Sequence, residues 1–168
     1  RGFIKTGLGK RIAYNLISAF GSSSLRLAYA LALSDLILAP ATPSNTARVG
    51  GVIMPITTSL AKAFGSEPQD GPRKIGSFLM QSIYQVNTIT SAMFQTSMAG
   101  NTLVAALALQ SFGIGITWGD WAMAAIVPGI IALIIMPYFI YKAYPPEIKD
   151  AREAQQMIRE ELKGLGKM

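Results

Sequence analysis

The apolar positions of the chain fall into long runs with few or no charges, separated by short polar or charged connectors. Apolar runs cover residues 27–41 and 49–61, a stretch without a charge covers 75–109, and a last apolar run covers 120–142. Uncharged runs of this length are typical of helices that enter or cross a membrane. The pattern therefore predicts an all-α integral membrane protein.

The first two runs are short for helices that cross a bilayer. They contain 15 and 13 residues and would measure about 22 and 20 Å as helices, whereas a full crossing needs about 30 Å. A polar tip that contains Pro43 joins them. This outline favours a re-entrant helical hairpin over residues 27–61, and two short tilted spans are the alternative.

The third run is too long for one straight span. Its 35 residues would form a helix about 52 Å long, and its middle is polar at residues 87–91 and 95–102. We therefore expect a discontinuous transmembrane helix over 75–109, unwound near 96–102. Broken helices of this kind form substrate and ion sites in secondary transporters. An extracytoplasmic loop at 110–119 and a transmembrane helix at 120–142 are expected to follow.

The charged segments predict which side of the membrane each connector faces. Residues 1–26 carry five basic residues and no acidic residue, and residues 62–74 form a polar connector. Residues 143–168 carry charges of both signs beside a narrow stripe of apolar residues. We expect amphipathic helices lying on the cytoplasmic surface at both ends, with solvated linkers as the alternative. Five aromatic residues near the ends of the last span resemble an aromatic belt, namely Trp118, Trp121, Tyr138, Tyr141 and Tyr144.

The amino-acid composition excludes several classes of function. Hydrophobic residues make up 51% of the 168 positions and charged residues 14%, whereas soluble domains carry about 25% charged residues. The chain has no Cys and no His, which excludes thiol and imidazole catalysis and the usual zinc sites. Without a nucleophile–base pair we expect no enzyme and no catalytic residue. The net charge of +6 lies in flanks of apolar segments, so nucleic acid is not an expected partner.

The polar tip carries the most informative residues, Ser44, Asn45 and Thr46. All three are strong N-cap types, so helix capping alone is one interpretation. The other is a binding site, because a helix N-terminus with neutral Asn and Thr donors suits a carboxylate and still allows its release. The Ser44 and Asn45 oxygens are alternatively ligands for Na⁺.

Two ionisable residues flank the tip. Arg48 is expected either to attract anions to the site or to snorkel or pack against the partner half of the protein. Asp35 lies in the first apolar run, where a carboxylate is costly. It is expected to be a buried, hydrogen-bonded structural residue, with a proton or cation site as the alternative.

Three motifs together resemble the divalent anion/sodium symporter family. The first is Pro-Ser-Asn-Thr-Ala-Arg-Val-Gly-Gly at 43–51, followed by Ile-Met-Pro-Ile at 53–56. The second is Thr-Ser-Met-Ala-Gly-Asn-Thr at 96–102, and the third is Tyr-Pro-Pro-Glu-Ile-Lys at 144–149. The likeness extends over the whole chain and is strongest to the bacterial citrate/succinate and tartrate/succinate antiporters.

The resemblance implies an inverted-repeat transporter that works as a homodimer by an elevator motion. The chain would be most of the first repeat, so we expect a longer polypeptide with a second repeat that completes the site. The implied substrate-binding residues are Ser44, Asn45, Thr46, Asn101 and Thr102. The implied cation site consists of Ser44, Asn45, Gly100 and Asn101, with Na⁺ as the only candidate cofactor.

The implied function is secondary transport of di- or tricarboxylates such as citrate or succinate across a bacterial inner membrane. Sodium-coupled members of the family tend to have a Ser four residues before the Ser of the triplet, and here that position is Pro40. This departure favours anion exchange. The alternatives are a sodium-coupled dicarboxylate or sulfate symporter and, in another class, a membrane subunit that transports nothing.

Overall fold

The computed structural model describes residues 8–164, and this part of the chain folds into α-helices joined by short turns. The only pairing of extended backbone within it is an isolated bridge between Ser23 and Asp150. The all-α prediction is therefore confirmed. The helices are α1 Leu8–Phe20, α2 Ser24–Leu38, α3 Asn45–Arg48, α4 Met54–Ala63, α5 Gly76–Met93, α6 Ala99–Phe112, α7 Trp118–Ala143 and α8 Arg152–Gly164.

Two segments of the described chain are long and apolar enough to cross a membrane. They are Ser24–Ala41, with 18 residues, and Trp118–Ala143, with 26. Of the first segment 56% is buried inside the fold, compared with 22% of the second segment. The α7 helix therefore keeps most of its apolar surface outside this core, as a span in contact with lipid or with further protein would.

The core forms where α5 crosses its neighbours. The α5 helix packs against α2, α4 and α7, while α1 packs against α2 and α8. Burying large aliphatic and aromatic side chains removes apolar area from water and supplies most of the stabilisation of such a cluster. Its largest fully buried members include Ile17, Leu27, Leu31, Ile53, Leu60, Phe78 and Leu79.

The predicted hairpin consists of two helical arms and a compact turn. After α2 a 3₁₀ turn, Ala39–Ala41, leads to the tip, and the second arm runs through α3, a π-helical segment, Val49–Ile53, and α4. In the π segment the Met54 N–H bonds to the carbonyl of Val49. Pro55 follows and has no N–H to offer a carbonyl four residues back, which accounts for the local widening of the helix.

The connection between α6 and α7 is shorter than the predicted loop at 110–119. The α6 helix continues to Phe112 and ends at Gly113, whose φ of +70° is the left-handed conformation that favours glycine. The α7 helix begins after Thr117, which forms a reciprocal capping box with Asp120. The cap fixes the direction in which α7 leaves the turn.

The amphipathic helices at the two ends pair with each other. Contacts join Tyr14 to Glu161 at 2.5 Å and Ser18 to Gln155 at 2.8 Å, so α1 and α8 run antiparallel. Burial, together with the neighbouring Glu161 carboxylate, raises the pKa of Tyr14 above its ordinary value. The hydroxyl therefore stays protonated and donates to Glu161. The basic residues Arg1 and Lys5 of the predicted N-terminal pattern lie outside the described residues.

We expect Tyr14→Phe to loosen this helix pair modestly. The substitution keeps the ring and removes one hydrogen bond to a carboxylate that is half exposed, a loss of about 1 kcal/mol. The measurement is the thermal midpoint of the purified protein in detergent. Tyr84→Phe is the matched control, because Tyr84 is 67% exposed on α5. Equal midpoints for the two variants would contradict the assignment.

Candidate functional site: the hairpin tip and the broken helix

The hairpin tip is built by a helix cap. Ser44 has an extended backbone, and its Oγ accepts a hydrogen bond from the Ala47 N–H at 3.2 Å. The Ser44 carbonyl accepts the Arg48 N–H at 3.0 Å, which closes the first helical turn. The capping interpretation of Ser44 is therefore confirmed. The cap also places the N-terminus of the second arm directly after the turn of the hairpin.

Asn45 and Thr46 open that helix and remain accessible. The Asn45 Oδ1 accepts the Thr46 N–H at 2.9 Å, which leaves the Asn45 amide group directed elsewhere. Its Nδ2 lies 3.8 Å from the Met98 Sδ, a weak acceptor. Asn45 is half-buried and Thr46 is exposed. A stronger acceptor such as a carboxylate would therefore displace only a weak contact.

The predicted break in the third run is present, but it lies earlier than expected. The α5 helix ends at Met93, a 3₁₀ turn occupies Gln95–Ser97, and Met98 is extended with φ −149° and ψ 140°. The α6 helix starts at Ala99. The prediction of an unwound segment at 96–102 is wrong at its C-terminal end, since Gly100, Asn101 and Thr102 lie in the first turns of α6.

The side chains of Asn101 and Ser97 hold the end of α5 close to the start of α6. The Asn101 Nδ2 donates to the carbonyls of Ser91 and Phe94 at 2.7 and 2.9 Å. The Ser97 hydroxyl donates to the Ser91 carbonyl at 2.6 Å. The last carbonyls of a helix have no intrahelical partner, and these two buried side chains satisfy them. The Asn101 amide therefore stabilises the break.

The tip and the break contact each other. The Thr96 hydroxyl donates to the Pro40 carbonyl in the hairpin turn at 2.9 Å, and Asn45 reaches Met98. The tip thus meets the break at Thr96 and Met98, whereas the amide of Asn101 bonds to the end of α5 and not to the tip. The predicted discontinuous helix and the predicted tip form a single candidate site.

Thr102 lies apart from this junction. Its hydroxyl donates to the Ala99 carbonyl at 2.8 Å, and its side chain is exposed. It lines a shallow hollow between α6 and the connection to α7, together with Gln95, Ile116 and Thr117. A role for Thr102 in binding substrate stays a prediction, and the geometry groups it with another surface.

The oxygens predicted to bind Na⁺ already accept hydrogen bonds. Ser44 Oγ takes the Ala47 N–H and Asn45 Oδ1 takes the Thr46 N–H. Neutral oxygens of this kind are hard ligands and suit an alkali cation through their remaining lone pairs. Among the described residues no cluster of His, Cys, Asp and Glu has the arrangement of a metal site. The Na⁺ site stays a prediction.

Arg48 and Asp35 form a buried ion pair that joins the two arms of the hairpin. The Arg48 Nε lies 2.8 Å from the Asp35 Oδ1, and the side chains are 0% and 2% exposed. The structural interpretation of Asp35 is confirmed. Arg48 neither snorkels nor faces the tip surface: it packs within this half of the protein. The two opposite charges cancel beneath the tip.

The remaining partners of Arg48 come from α5. Its Nη2 donates to the oxygens of Asn87, Thr90 and Ser91 at 3.1, 3.2 and 3.1 Å. The Thr90 hydroxyl also donates to Asp35. In the sequence these residues form part of a polar stretch, which by itself indicates an interruption of the helix as readily as a buried contact. Their spacing of three and four residues places them on one helix face, a signal of a helix that meets a buried polar partner.

The chain matches the family described as "Sodium:sulfate symporter transmembrane region" over residues 1–168. It is 50% identical over 169 residues to "Dicarboxylate transporter 1, chloroplastic" of Spinacia oleracea, with 100% of this chain and 30% of that protein covered. It is 54% identical over 147 residues to "Inner membrane protein YbhI" of Escherichia coli, with 88% and 31% covered.

A third relative is named for exchange. The "L-tartrate/succinate antiporter" of Escherichia coli is 39% identical over 166 residues, with 98% of this chain and 34% of that protein covered. The chain thus spans about a third of the length of each of these three relatives. The part that matches contains the whole junction between the hairpin tip and the broken helix.

Proposed function

The chain belongs to the divalent anion/sodium symporter family, and from that premise we propose that it forms one part of a secondary carrier of di- and tricarboxylates. Relatives at 50% and 39% identity are named for dicarboxylate transport and for tartrate/succinate exchange. The site supports the same class of cargo. It offers neutral hydrogen-bond donors at a helix N-terminus, which suit a carboxylate that must be bound and released.

The observation that carries the proposal is the chemistry of the tip. The second arm begins with Asn45 and Thr46 at an accessible helix N-terminus, beside the break in the facing helix. A helix N-terminus attracts a carboxylate. The nearby Arg48 charge is paired with Asp35 and buried, so the accessible donors are neutral. Neutral donors hold an anion without a fixed ion pair that would slow its release.

Exchange of one carboxylate for another is the mechanism we favour over coupling to sodium. Pro40 stands four residues before Ser44 and supplies no side-chain oxygen for a cation. We expect labelled succinate to enter citrate-loaded proteoliposomes of the full-length carrier in sodium-free buffer. Uptake that begins only after Na⁺ is added would instead favour the symport alternative. Competition by sulfate stronger than by citrate would favour an inorganic-anion carrier.

The wider architecture is part of the same proposal. We propose that residues 27–61 form a re-entrant hairpin, that a second repeat completes the site, and that the carrier is a homodimer with an elevator motion. The chain covers only 30–34% of the three relatives, which leaves room for that second repeat. Identity of 54% to an inner membrane protein supports a multi-pass location in a bacterial inner membrane.

Asn45→Ala tests the site directly. We expect uptake to fall at least about tenfold, because a hydrogen bond to a charged acceptor contributes about 1.5–3 kcal/mol and 1.4 kcal/mol corresponds to tenfold. The measurement is initial uptake by the full-length carrier at matched protein density in the membrane. Asn15→Ala on α1 is the matched control, since Asn15 is exposed and bonds only to the Arg11 carbonyl through Nδ2. Unchanged uptake by Asn45→Ala would contradict an anion site at the tip, whereas absence of carboxylate uptake by the unaltered full-length protein would favour a membrane subunit that transports nothing.

A further inference from the structure

We propose that Trp118 and Thr96 are positioning residues for the anion site, acting together to hold the hairpin tip against the break in the facing helix. This inference rests on the proposed function. The hydrogen bonds run from the Trp118 indole to Thr96 and from Thr96 to Pro40. We call this pair of hydrogen bonds the tip relay.

The tip relay starts at the first residue of α7. The Trp118 Nε1 donates to the Thr96 Oγ1 at 3.1 Å, and the indole stacks on Phe94 with ring centroids 5.9 Å apart and an interplanar angle of 16°. Trp118 is 43% exposed, and its N–H donates to the hydroxyl of Thr96, which is itself exposed. A tryptophan that served only as a membrane-interface anchor would direct that N–H toward water or headgroups.

The second bond of the relay ends in the hairpin turn. The Thr96 hydroxyl accepts from the indole and donates to the Pro40 carbonyl at 2.9 Å. A hydroxyl that accepts and donates at once is polarised by both partners, which strengthens each bond. Pro40 lies four residues before Ser44, so the relay acts on the turn that leads directly into the capped helix of the site.

Two neighbouring hydrogen bonds hold the break beside the start of α7. The Trp121 Nε1 donates to the Ala92 carbonyl at 2.9 Å, and the Gln95 Nε2 donates to the Ile116 carbonyl at 3.3 Å. The capping box of Thr117 and Asp120 fixes the start of α7. The break is therefore attached to α7 through Ala92 and to the connection before α7 through Gln95. The Thr96 bond continues from it to the tip, beside the weaker contact of Asn45 with Met98.

This arrangement predicts an effect on affinity more than on maximal rate. The cap does not depend on the relay, since the bonds from Ala47 to Ser44 and from Thr46 to Asn45 lie within the first helical turn. Loss of the relay leaves the donors intact but lets the tip shift relative to the break. A displaced binding group weakens binding to the anion while the motion that carries it across the membrane is unchanged.

The test uses uptake kinetics of the full-length carrier with succinate. We expect Thr96→Val to raise KM about fivefold or more, with Vmax within about twofold, because one or two net hydrogen bonds are lost. Thr96→Ser keeps the hydroxyl and should restore the original KM. Trp118→Phe keeps the stacked ring and removes the N–H, and should raise KM in the same direction. The double variant should be no worse than the more severe single variant.

Thr88→Val is the matched control, because the exposed Thr88 hydroxyl bonds to the Tyr84 carbonyl within α5 and reaches no other element. An unchanged KM for Thr96→Val, or the same raised KM for Thr96→Ser, would overturn the relay. Thermal midpoints of all variants separate misfolding from a shifted site. Thr96→Val with normal kinetics beside an inactive Asn45→Ala refutes the relay alone. Normal uptake by both variants refutes the anion site at the tip as well, and no succinate uptake by the unaltered carrier refutes the proposed function.

Discussion

Replacing Arg48 with Met is expected to be among the most destabilising single substitutions in the hairpin. The substitution leaves the Asp35 carboxylate buried at 2% exposure without its ion-pair partner. Removing one member of a buried ion pair costs about 3–5 kcal/mol, because the remaining charge has lost its compensation. Asp35→Asn is expected to destabilise similarly, since it leaves the Arg48 guanidinium uncompensated.

The double variant Asp35→Asn with Arg48→Met distinguishes this explanation from a simple loss of packing. Removing both charges avoids the uncompensated ion, and replacing a buried pair by neutral groups is often close to neutral in stability. We therefore expect the double variant to be more stable than either single variant. The measurement is a double-mutant cycle on the free energy of unfolding in detergent.

The surface pair of Lys10 and Glu161 is the matched control for that cycle. These groups lie 3.7 Å apart with side chains 48% and 46% exposed, and exposed pairs contribute about 0–1 kcal/mol. The Lys10→Met and Glu161→Gln cycle should therefore show weak coupling. Coupling of the same size in both cycles, or a double variant of Arg48 and Asp35 as unstable as the sum of its singles, would contradict the assignment.

The tip is the part of the site that the sequence predicts well, because its interactions are local. Ser44 caps the turn that begins at the next residue, and the bonds it forms reach only Ala47 and Arg48. An Asn and a Thr directly after such a cap occupy the helix N-terminus whatever the rest of the fold does. The fold class follows equally directly from the length and uncharged composition of the apolar runs.

The contacts that join the tip to its surroundings could not be predicted in this way. Arg48 meets Asn87, Thr90 and Ser91 across 39–43 residues of sequence, and Trp118 meets Thr96 across 22. Polar residues inside an apolar run have the same pattern whether they unwind a helix or face a distant partner. Tertiary contacts decide between the two, and here the α5 helix continues through all three polar residues.

The exact position of the break, like these contacts, could not be predicted from the sequence. The polar stretch 95–102 contains residues that leave a helix and residues that begin the next one, and composition alone does not separate them. Asn101 lies in the first turn of the second helix, which starts at Ala99, and its amide reaches back to the carbonyls at the end of the first helix. It stabilises the break from within the first turn of α6, whereas the family resemblance implied a role for it in binding substrate or cation, which stays a prediction.

Asn101→Asp is therefore expected to destabilise the break strongly. The two side chains have nearly the same shape, so packing is kept. The substitution removes both N–H donors and places carboxylate oxygens against the Ser91 and Phe94 carbonyls, which now lie 2.7 and 2.9 Å from the amide nitrogen. Asn101 is 6% exposed, and a buried polar group that loses its partners costs about 1–3 kcal/mol, with more for a charged group. Asn101→Ala removes the donors without adding a charge and should destabilise less.

The measurement is the thermal midpoint of the variant in detergent, read beside its uptake of succinate. Thr102→Val is the matched control, because the neighbouring exposed hydroxyl bonds only within α6, to Ala99, and its loss should leave the midpoint nearly unchanged. If Asn101 acted only on the cargo, Asn101→Asp would lose uptake and keep its midpoint, since a carboxylate repels an anionic substrate without disturbing the helix ends. A midpoint that is lowest for Asn101→Asp, higher for Asn101→Ala and highest for the unaltered protein instead identifies the amide as the group that holds the two halves of the broken helix together. Loss of transport then follows, because the anion site requires that junction.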